Sequence, residues 1–321
     1  MILDTRNTFK PFQYPKLYQL FERHELIHWT RHEITLEFAE DKKDYDHKLP
    51  EDQKRFLQEL FKFFTQADVD VMGGYARFCQ SFAGCPEATM LLTSIAGREA
   101  VHADAYSALN TAVGMPDSAY SEFMDIAVLR DKHDYVKTFA TETPQGLARA
   151  LALYGLFTEG LQLFASFAML MNFSRFGVMK GMNKVVTWSI RDEQVHIDAC
   201  VELYKILCRE YDIDEESLKS EVVETCKKMV ELEDAFIDRA FAIANHNIPG
   251  MEAAEVKQFI RWLANDRLSR IGIGQLYAAS NPFPWIIDTM YAKEHQNFFE
   301  GKGSEYSFGG IEGGMDDLAF S

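Results

Sequence analysis

The sequence predicts an all-α protein built from long helices, and three observations support this fold class. Hydrophobic residues, 47% of the chain, recur at helical rather than alternating spacing over long stretches. Alternating runs of β-branched residues, which are typical of strands, are absent from the sequence. The nine prolines lie mainly near the start, at helix entries and at turns. No Pro/Gly/Ser-rich linker interrupts residues 10–298, so we expect one domain over 1–300 and a glycine-rich, flexible tail over 301–321.

The helix boundaries follow from local signals, taken in chain order. Pro50 and the two acids after it begin the second helix, and Pro86 precedes the third. A Gly-Met-Pro turn at residues 114–116 separates the third helix from the fourth. Asp214 caps the seventh helix, and an Asn-Pro pair at 281–282 follows the eighth. The predicted helices span about 15–25, 50–80, 88–113, 117–142, 145–174, 181–211, 215–245 and 252–280.

The fifth helix is apolar enough to be compared with a membrane span. Glu159 is the only charged residue in 150–173. A lone carboxylate is costly in lipid, and polar side chains also interrupt this stretch. We therefore predict a helix buried on all sides in a bundle, and no membrane.

Charge and cysteine content exclude several classes of protein. The formal charge is −16, from 33 Lys+Arg against 49 Asp+Glu, so the chain lacks the basic face that nucleic acid requires. The five cysteines form no CxxC pair, and no secretory leader precedes the first helix. These features indicate a reducing, cytoplasmic environment. Neither a GxSxG motif nor a glycine-rich phosphate loop is present.

The motif Glu-x-x-His occurs at 25–28, 99–102 and 193–196. In the second copy, the Glu, the His and the following Tyr106 fall on one helical stripe about 60° wide. The third copy repeats the Glu and His on another helix. The first copy lies near the end of a short polar helix, where we expect it to face solvent.

Two further carboxylates are predicted to be buried. Glu159 lies in the apolar helix, and Asp68 lies on the inner face of the 50–80 helix. A buried carboxylate must be paired or neutralised, yet the nearest basic residue before Glu159 is Arg149. Four inward carboxylates, two of them with a His three residues later, form the dinuclear ligand set of ferritin-like carboxylate proteins. The candidate metal ligands are Asp68, Glu99, His102, Glu159, Glu193 and His196.

This ligand set suits two divalent cations. Four carboxylates carry four negative charges, and the imidazoles complete the coordination. Oxygen-rich ligation with two His favours two Fe or two Mn ions, with a mixed Mn/Fe pair also open. The absence of Cys from these positions argues against Fe–S clusters and structural Zn.

The combined motifs resemble the small, radical-generating (beta) subunit of class I ribonucleotide reductase, a member of the ferritin-like superfamily. The likeness rests on Asp68, on Gly97-Arg98-Glu99-x-x-His102-x-x-x-Tyr106, on Glu159, and on Arg191-Asp192-Glu193-x-x-His196. It extends from about Thr8 to the C-terminus. The resemblance implies the same metal ligands, a stored radical on Tyr106, and a radical-transfer path through Asp192, Trp29 and Tyr306.

The resemblance also implies an activity and partners. The metals would react with O2 or superoxide to give an oxidant, either a tyrosyl radical on Tyr106 or a high-valent metal cluster. The large (alpha) subunit would use it to reduce ribonucleoside diphosphates to deoxyribonucleotides. The tail, ending in residues 315–321, would dock on that subunit, although composition alone fits a frayed terminus equally well. A homodimer is implied, as is a flavodoxin-like activator if the metal is manganese.

Three positions depart from the family pattern and leave the form of the oxidant open. Leu163 stands where the family often has Phe, and Gln66 stands where Leu is common. Ser189 stands where the family usually has an apolar residue. A polar group near a phenoxyl could shorten its life, so an oxidant held on the metals is also open. A ligand-binding oxidase, another dinuclear monooxygenase and a metal store compete with this function, but none of these uses a relay or a docking tail.

Overall fold

Helices form all of the regular secondary structure in residues 1–290, the part of the chain that the computed structural model describes. No strand occurs in that range, so the all-α prediction is confirmed. Short 3₁₀ turns lie at Arg31–Glu33 and Glu122–Asp125. The predicted boundary at 300/301 and the tail lie outside the described residues. The helices are α1 Pro15–Leu26, α2 Thr35–His47, α3 Glu51–Ser81, α4 Pro86–Ala112, α5 Ser118–Ser121, α6 Ala127–Val136, α7 Pro144–Leu151, α8 Leu163–Arg175, α9 Lys180–Glu210, α10 Glu215–Ile243, α11 Ala253–Arg270 and α12 Pro284–Met290.

The long helices pack around a shared apolar core. α3 lies along α4, and α9 packs against the segment between α7 and α8. α10 and α11 also contact that segment. Proline begins α4 and α7, where its missing N–H costs no hydrogen bond. Phe56, Phe61 and Phe64 on α3 are fully buried, so this helix presents an aromatic face to the core.

The apolar helix of the sequence is continuous from Pro144 to Arg175, and its most hydrophobic window is entirely buried. The prediction of a core helix is therefore confirmed for the described residues. Its middle, Ala152–Gln162, is π-helical, which widens the turn and is often found at functional sites. Gly155 permits close packing there, because an added Cβ would lie 2.6 Å from Cys200 Sγ. Glu159 lies within this widened segment.

None of the predicted helices corresponds to α2, because that helix is mostly polar. Phe38 and Tyr45 supply its buried hydrophobic side chains, seven residues apart, which is too little to reveal an amphipathic stripe. Its other buried residues are Asp41 and Asp44, whose burial sequence periodicity cannot show.

Two predicted helices were too long. The predicted 117–142 helix is broken into α5, a 3₁₀ turn and α6, with Ile126 in extended geometry between them. The last long helix ends at Arg270 rather than 280. Gly272 lies in the left-handed region with φ of 81°, and Ile273 N–H donates to the Leu268 carbonyl, which is the usual glycine stop.

α2 holds the start of α9, the helix that carries the third Glu-x-x-His motif. Asp41 accepts hydrogen bonds from the backbone N–H groups of Gly181 (2.9 Å) and Met182 (2.6 Å). Asp44 accepts one from Met179 N–H at 3.0 Å. These carboxylates satisfy N–H groups that a helix start leaves without partners and oppose the positive end of its dipole.

We predict that Asp41→Ala lowers the free energy of unfolding by about 1 kcal/mol, because the first turn of α9 loses its acceptors. Asp46→Ala on the same helix is the control. Its side chain forms a surface ion pair with Lys42, so its loss should cost less than about 0.5 kcal/mol. Urea unfolding of the full chain measures both, and equal losses would contradict the capping role.

Candidate metal centre

Four helical segments bring the predicted ligands into one buried cluster. α3, α4, the π-helical segment and α9 each contribute a carboxylate, and α4 and α9 each add a histidine. Each side chain is at most 1% exposed. The cluster consists of Asp68, Glu99, His102, Glu159, Glu193 and His196.

The cluster divides into two adjacent groups of possible metal ligands. One contains Glu99, Glu159, Glu193 and His196, and the other contains Asp68, Glu99 and His102. Within each group the ligand atoms lie within 4.8 Å of one another. Because Glu99 belongs to both, the arrangement can accommodate two neighbouring cations.

Both imidazoles turn Nδ1 toward the carboxylates. His196 Nδ1 lies 3.1 Å from oxygens of Glu99 and Glu159 and 3.2 Å from Glu193. His102 Nδ1 lies 3.4 Å from Glu193 and 3.6 Å from Glu99. Nδ1 is therefore the atom that each histidine could offer to a metal, while Nε2 contacts groups outside the cluster.

The carboxylate oxygens are poorly satisfied by protein groups. Asp68 Oδ2, both oxygens of Glu99 and Glu193 Oε1 are buried and form no hydrogen bond within residues 1–290. An unsatisfied buried carboxylate is strongly unfavourable. The donor set and these orphaned oxygens therefore fit a dinuclear metal site.

The proton affinities reflect this crowding. Burial and the Glu193 charge raise the pKa of Glu159 to about 8. Burial would also raise the pKa of Glu99, but His102 and His196 lower it to about 2. Burial alone would lower the pKa of both histidines, yet the surrounding carboxylates raise it well above the ordinary value. The cluster without metal therefore retains protons that a cation would have to displace.

Asp192 connects the cluster to Trp29. Its Oδ2 accepts hydrogen bonds from Trp29 Nε1 at 2.7 Å and from His102 Nε2 at 3.0 Å. Its Oδ1 accepts one from Arg98 at 3.0 Å. Burial would raise the pKa of Asp192, but the His102 hydrogen bond and the Arg98 charge hold it below its ordinary value. The Trp29 ring, 1% exposed, stacks on His102 with centroids 5.7 Å apart.

Tyr106 is buried in an aromatic stack beside the cluster. Its ring stacks on Phe64 at 4.6 Å, and Phe64 in turn stacks on Phe167 at 5.1 Å. Burial and the Asp68 charge raise the pKa of the phenol well above 10. Among described residues its one hydrogen bond is donated to Ser189 Oγ, at 3.5 Å.

Gln66 and Leu163, the other two departures from the family pattern, form no hydrogen bond with the Tyr106 hydroxyl in the described residues. Gln66 donates to Asp70, and Leu163 is a fully buried apolar residue. Glu25 and His28 are exposed, as predicted for the first Glu-x-x-His copy. Tyr306 and the docking tail, 315–321, lie outside the described residues.

Three side chains that contact the cluster or its partners had no role assigned from the sequence. His24 Nε2 lies 3.1 Å from His196 Nε2, and its pKa falls to about 2 because of burial and the His196 charge. Arg98 binds Asp192, and Tyr75 donates to Glu159. His24 follows the buried Leu17 and Leu20 on one face of α1, a spacing that could have indicated its burial.

The fold and the site together define a ferritin-like helical protein with a buried carboxylate and histidine cluster. A sequence profile described as "Ribonucleotide reductase, small chain" matches residues 6–282. The chain therefore belongs to the ribonucleotide reductase small-subunit family. The predicted resemblance and the prediction of an oxidoreductase, the beta subunit of a ribonucleoside-diphosphate reductase, are confirmed.

Individual relatives agree with this assignment. The chain is 38% identical to the probable ribonucleoside-diphosphate reductase small subunit of Invertebrate iridescent virus 3, covering 97% of this chain and 87% of the relative. Two solved structures share the fold at 18% identity. The ribonucleotide reductase homodimer of Saccharomyces cerevisiae has a TM-score of 0.75 and 88% coverage of both chains. A dimanganese(II) protein of Streptococcus sanguinis has a TM-score of 0.76, with 89% and 99% coverage.

We predict that Mn²⁺ binding at pH 7 releases protons, because a ligand must be deprotonated and Glu159 has a pKa of about 8. Affinity should rise with pH up to about 8, where the Glu159 contribution levels off. Isothermal titration in buffers of different ionisation enthalpy measures the protons released. Glu159→Gln should release fewer, and a heat of binding independent of buffer at pH 7 would contradict the prediction.

Proposed function

We propose that this chain generates and stores the oxidant used by class I ribonucleotide reductase. It binds two Fe or two Mn ions, or one of each, and the large subunit uses the oxidant to reduce ribonucleoside diphosphates. The observation that carries the proposal is a buried cluster whose His102 binds Asp192, the partner of Trp29, and whose Asp68 acts electrostatically on the buried Tyr106.

Six side chains would hold the metals: Asp68, Glu99, His102, Glu159, Glu193 and His196. Their orphaned oxygens and their excess of negative charge support divalent cations. When bound, the metals would supply an oxidising equivalent through reaction with O2 or superoxide. The dimanganese(II) protein of similar fold supports manganese as one choice, for which a flavodoxin-like activator is proposed.

Tyr106 is proposed as the site of the stored radical. Its ring is 1% exposed and stacks on Phe64, so water has little access to it. Ser189 is the neighbour that could receive its hydrogen bond. An oxidant that stays on the metals is the second form of the same function, and the polar Ser189 is the reason to retain it.

Asp192 and Trp29 are proposed as the first residues of the path by which the oxidising equivalent leaves the site. Asp192 Oδ2 is positioned to accept the Trp29 indole proton when that ring is oxidised and to return it afterwards. The same oxygen orients His102 through Nε2. From Trp29 the path would continue through Tyr306 to the large subunit.

The assembly is proposed from the family as well. Residues 1–300 would form the helical domain, and the tail at 301–321 would dock on the large subunit. A homodimer in the cytoplasm is proposed, and the homodimeric yeast structure of similar fold supports that oligomeric state.

The proposal is tested by loading metal-free protein with Fe, Mn or both, oxidising it, and recording electron paramagnetic resonance spectra. We expect two metals per chain and a sharp radical signal that Tyr106→Phe removes. Tyr204→Phe, at a buried tyrosine of α9 whose hydroxyl contacts Cys208, should retain it. A metal-centred signal that persists in Tyr106→Phe would make the metals the oxidant. Failure to load two metals would refute the ligand assignment.

A second prediction concerns the exit path. Trp29→Phe should reduce ribonucleotide reduction with the large subunit to background while leaving two metals bound, because phenylalanine has no N–H for Asp192. Trp188→Phe is the matched control, because it removes the neighbouring indole, whose ring centroid lies 5.2 Å from that of Trp29, and leaves Trp29 and Asp192 in place. This control should retain turnover.

Tyr306→Phe should abolish turnover in the same way as Trp29→Phe. Retained turnover in either variant would refute the place of the substituted residue in the relay.

A further inference from the structure

Tyr75 is a buried phenol beside the cluster that the metal-ligand pattern does not include. It lies on α3 seven residues after Asp68, so both side chains point from the same face of one helix. The residue is 0% exposed. Its O–H donates a hydrogen bond to Glu159 Oε2, and Cys200 Sγ lies 3.4 Å from the same phenol oxygen.

The two oxygens of Glu159 therefore have different surroundings. Oε2 is bound by Tyr75, while Oε1 lies 3.1 Å from His196 Nδ1, inside the four-residue group. Glu99 differs, because neither of its oxygens forms a hydrogen bond within residues 1–290. A carboxylate with one oxygen engaged by a donor presents the other oxygen to a cation, whereas Glu99 can present both.

We infer that Tyr75 is a positioning residue that holds Glu159 as a one-oxygen ligand for the cation in the four-residue group. The inference rests on the proposed metal site. Hydrogen bonds from outer side chains orient metal ligands and strongly affect affinity. α3 thus serves both groups, directly through Asp68 and indirectly through Tyr75.

The surroundings leave the phenol few other positions. The Tyr75 ring packs edge-on against Phe78 at 5.8 Å and against His196 at 6.1 Å. Cys200 fits beside it because Gly155 has no side chain. The donor is therefore fixed before a cation arrives, and binding need not order it.

The experiment titrates metal-free, full-length protein with Co²⁺ and follows both binding affinity and the visible absorption spectrum. Wild type should bind two ions. Tyr75→Phe, which removes only the hydroxyl, should weaken one of the two binding steps by about 10–100-fold and change the spectrum of that ion. The other step should keep its affinity.

Tyr154→Phe is the matched control, since its hydroxyl is also buried but binds Arg77 and the Val136 carbonyl instead of the cluster. It should leave both steps unchanged. A double-mutant cycle then identifies the route of the effect: in a Glu159→Gln background, Tyr75→Phe should cause no further loss. Tyr75→Leu, which also lacks the donor, replaces Tyr75→Phe if the latter does not fold.

Three results for Tyr75→Phe would overturn the inference while leaving the proposed function standing: wild-type affinities and spectrum, equal weakening of both binding steps, or a full effect in the Glu159→Gln background. An equal loss in Tyr154→Phe also overturns it, because general packing would then explain the result. If wild type itself fails to bind two ions, the proposed metal site is refuted and this inference with it.

Discussion

The burial of four carboxylates in one core is the constraint on which the rest of the structure depends. Two like charges about 4 Å apart repel by about 4 kcal/mol at an effective dielectric constant of about 20. A hydrogen bond typically stabilises the folded state by only about 1 kcal/mol. Two imidazoles offset part of the charge in the cluster, while the buried Arg98 binds Asp192 instead. Cations are therefore the groups best able to balance the remaining charge.

Rigid helices position these side chains. The ends of the helices are fixed by contacts with residues distant in sequence. Asp41 and Asp44 on α2 hold the start of α9, which carries Asp192, Glu193 and His196. The π-helical segment places Glu159 in a widened turn against α9. The site thus depends on helix geometry rather than on loops, which suits ligands that must keep fixed separations.

The sequence indicated which side chains cluster in the core better than it indicated the residues that contact them, for a physical reason. A Glu and a His three residues apart lie on one face of a helix, so local spacing alone brings them together, and a lone Glu159 in an apolar helix signals a compensated charge. Trp29 and Asp192 came from the family resemblance. Tyr75 and Glu159 are 84 residues apart, and no local pattern relates them. α2 was missed because its helix is mostly polar and half of its buried groups are carboxylates.

The outer contacts make the two groups unequal. In the three-residue group, the charged Asp192 accepts a hydrogen bond from His102 Nε2 and another from Trp29. Asp68, in the same group, acts electrostatically on Tyr106. In the four-residue group, His196 is backed by His24, whose lowered pKa keeps it neutral. A carboxylate partner raises the basicity of a metal-bound imidazole more than a neutral partner does. The contacts that lead to Tyr106 and Trp29 therefore converge on the three-residue group, while uncharged contacts support the other.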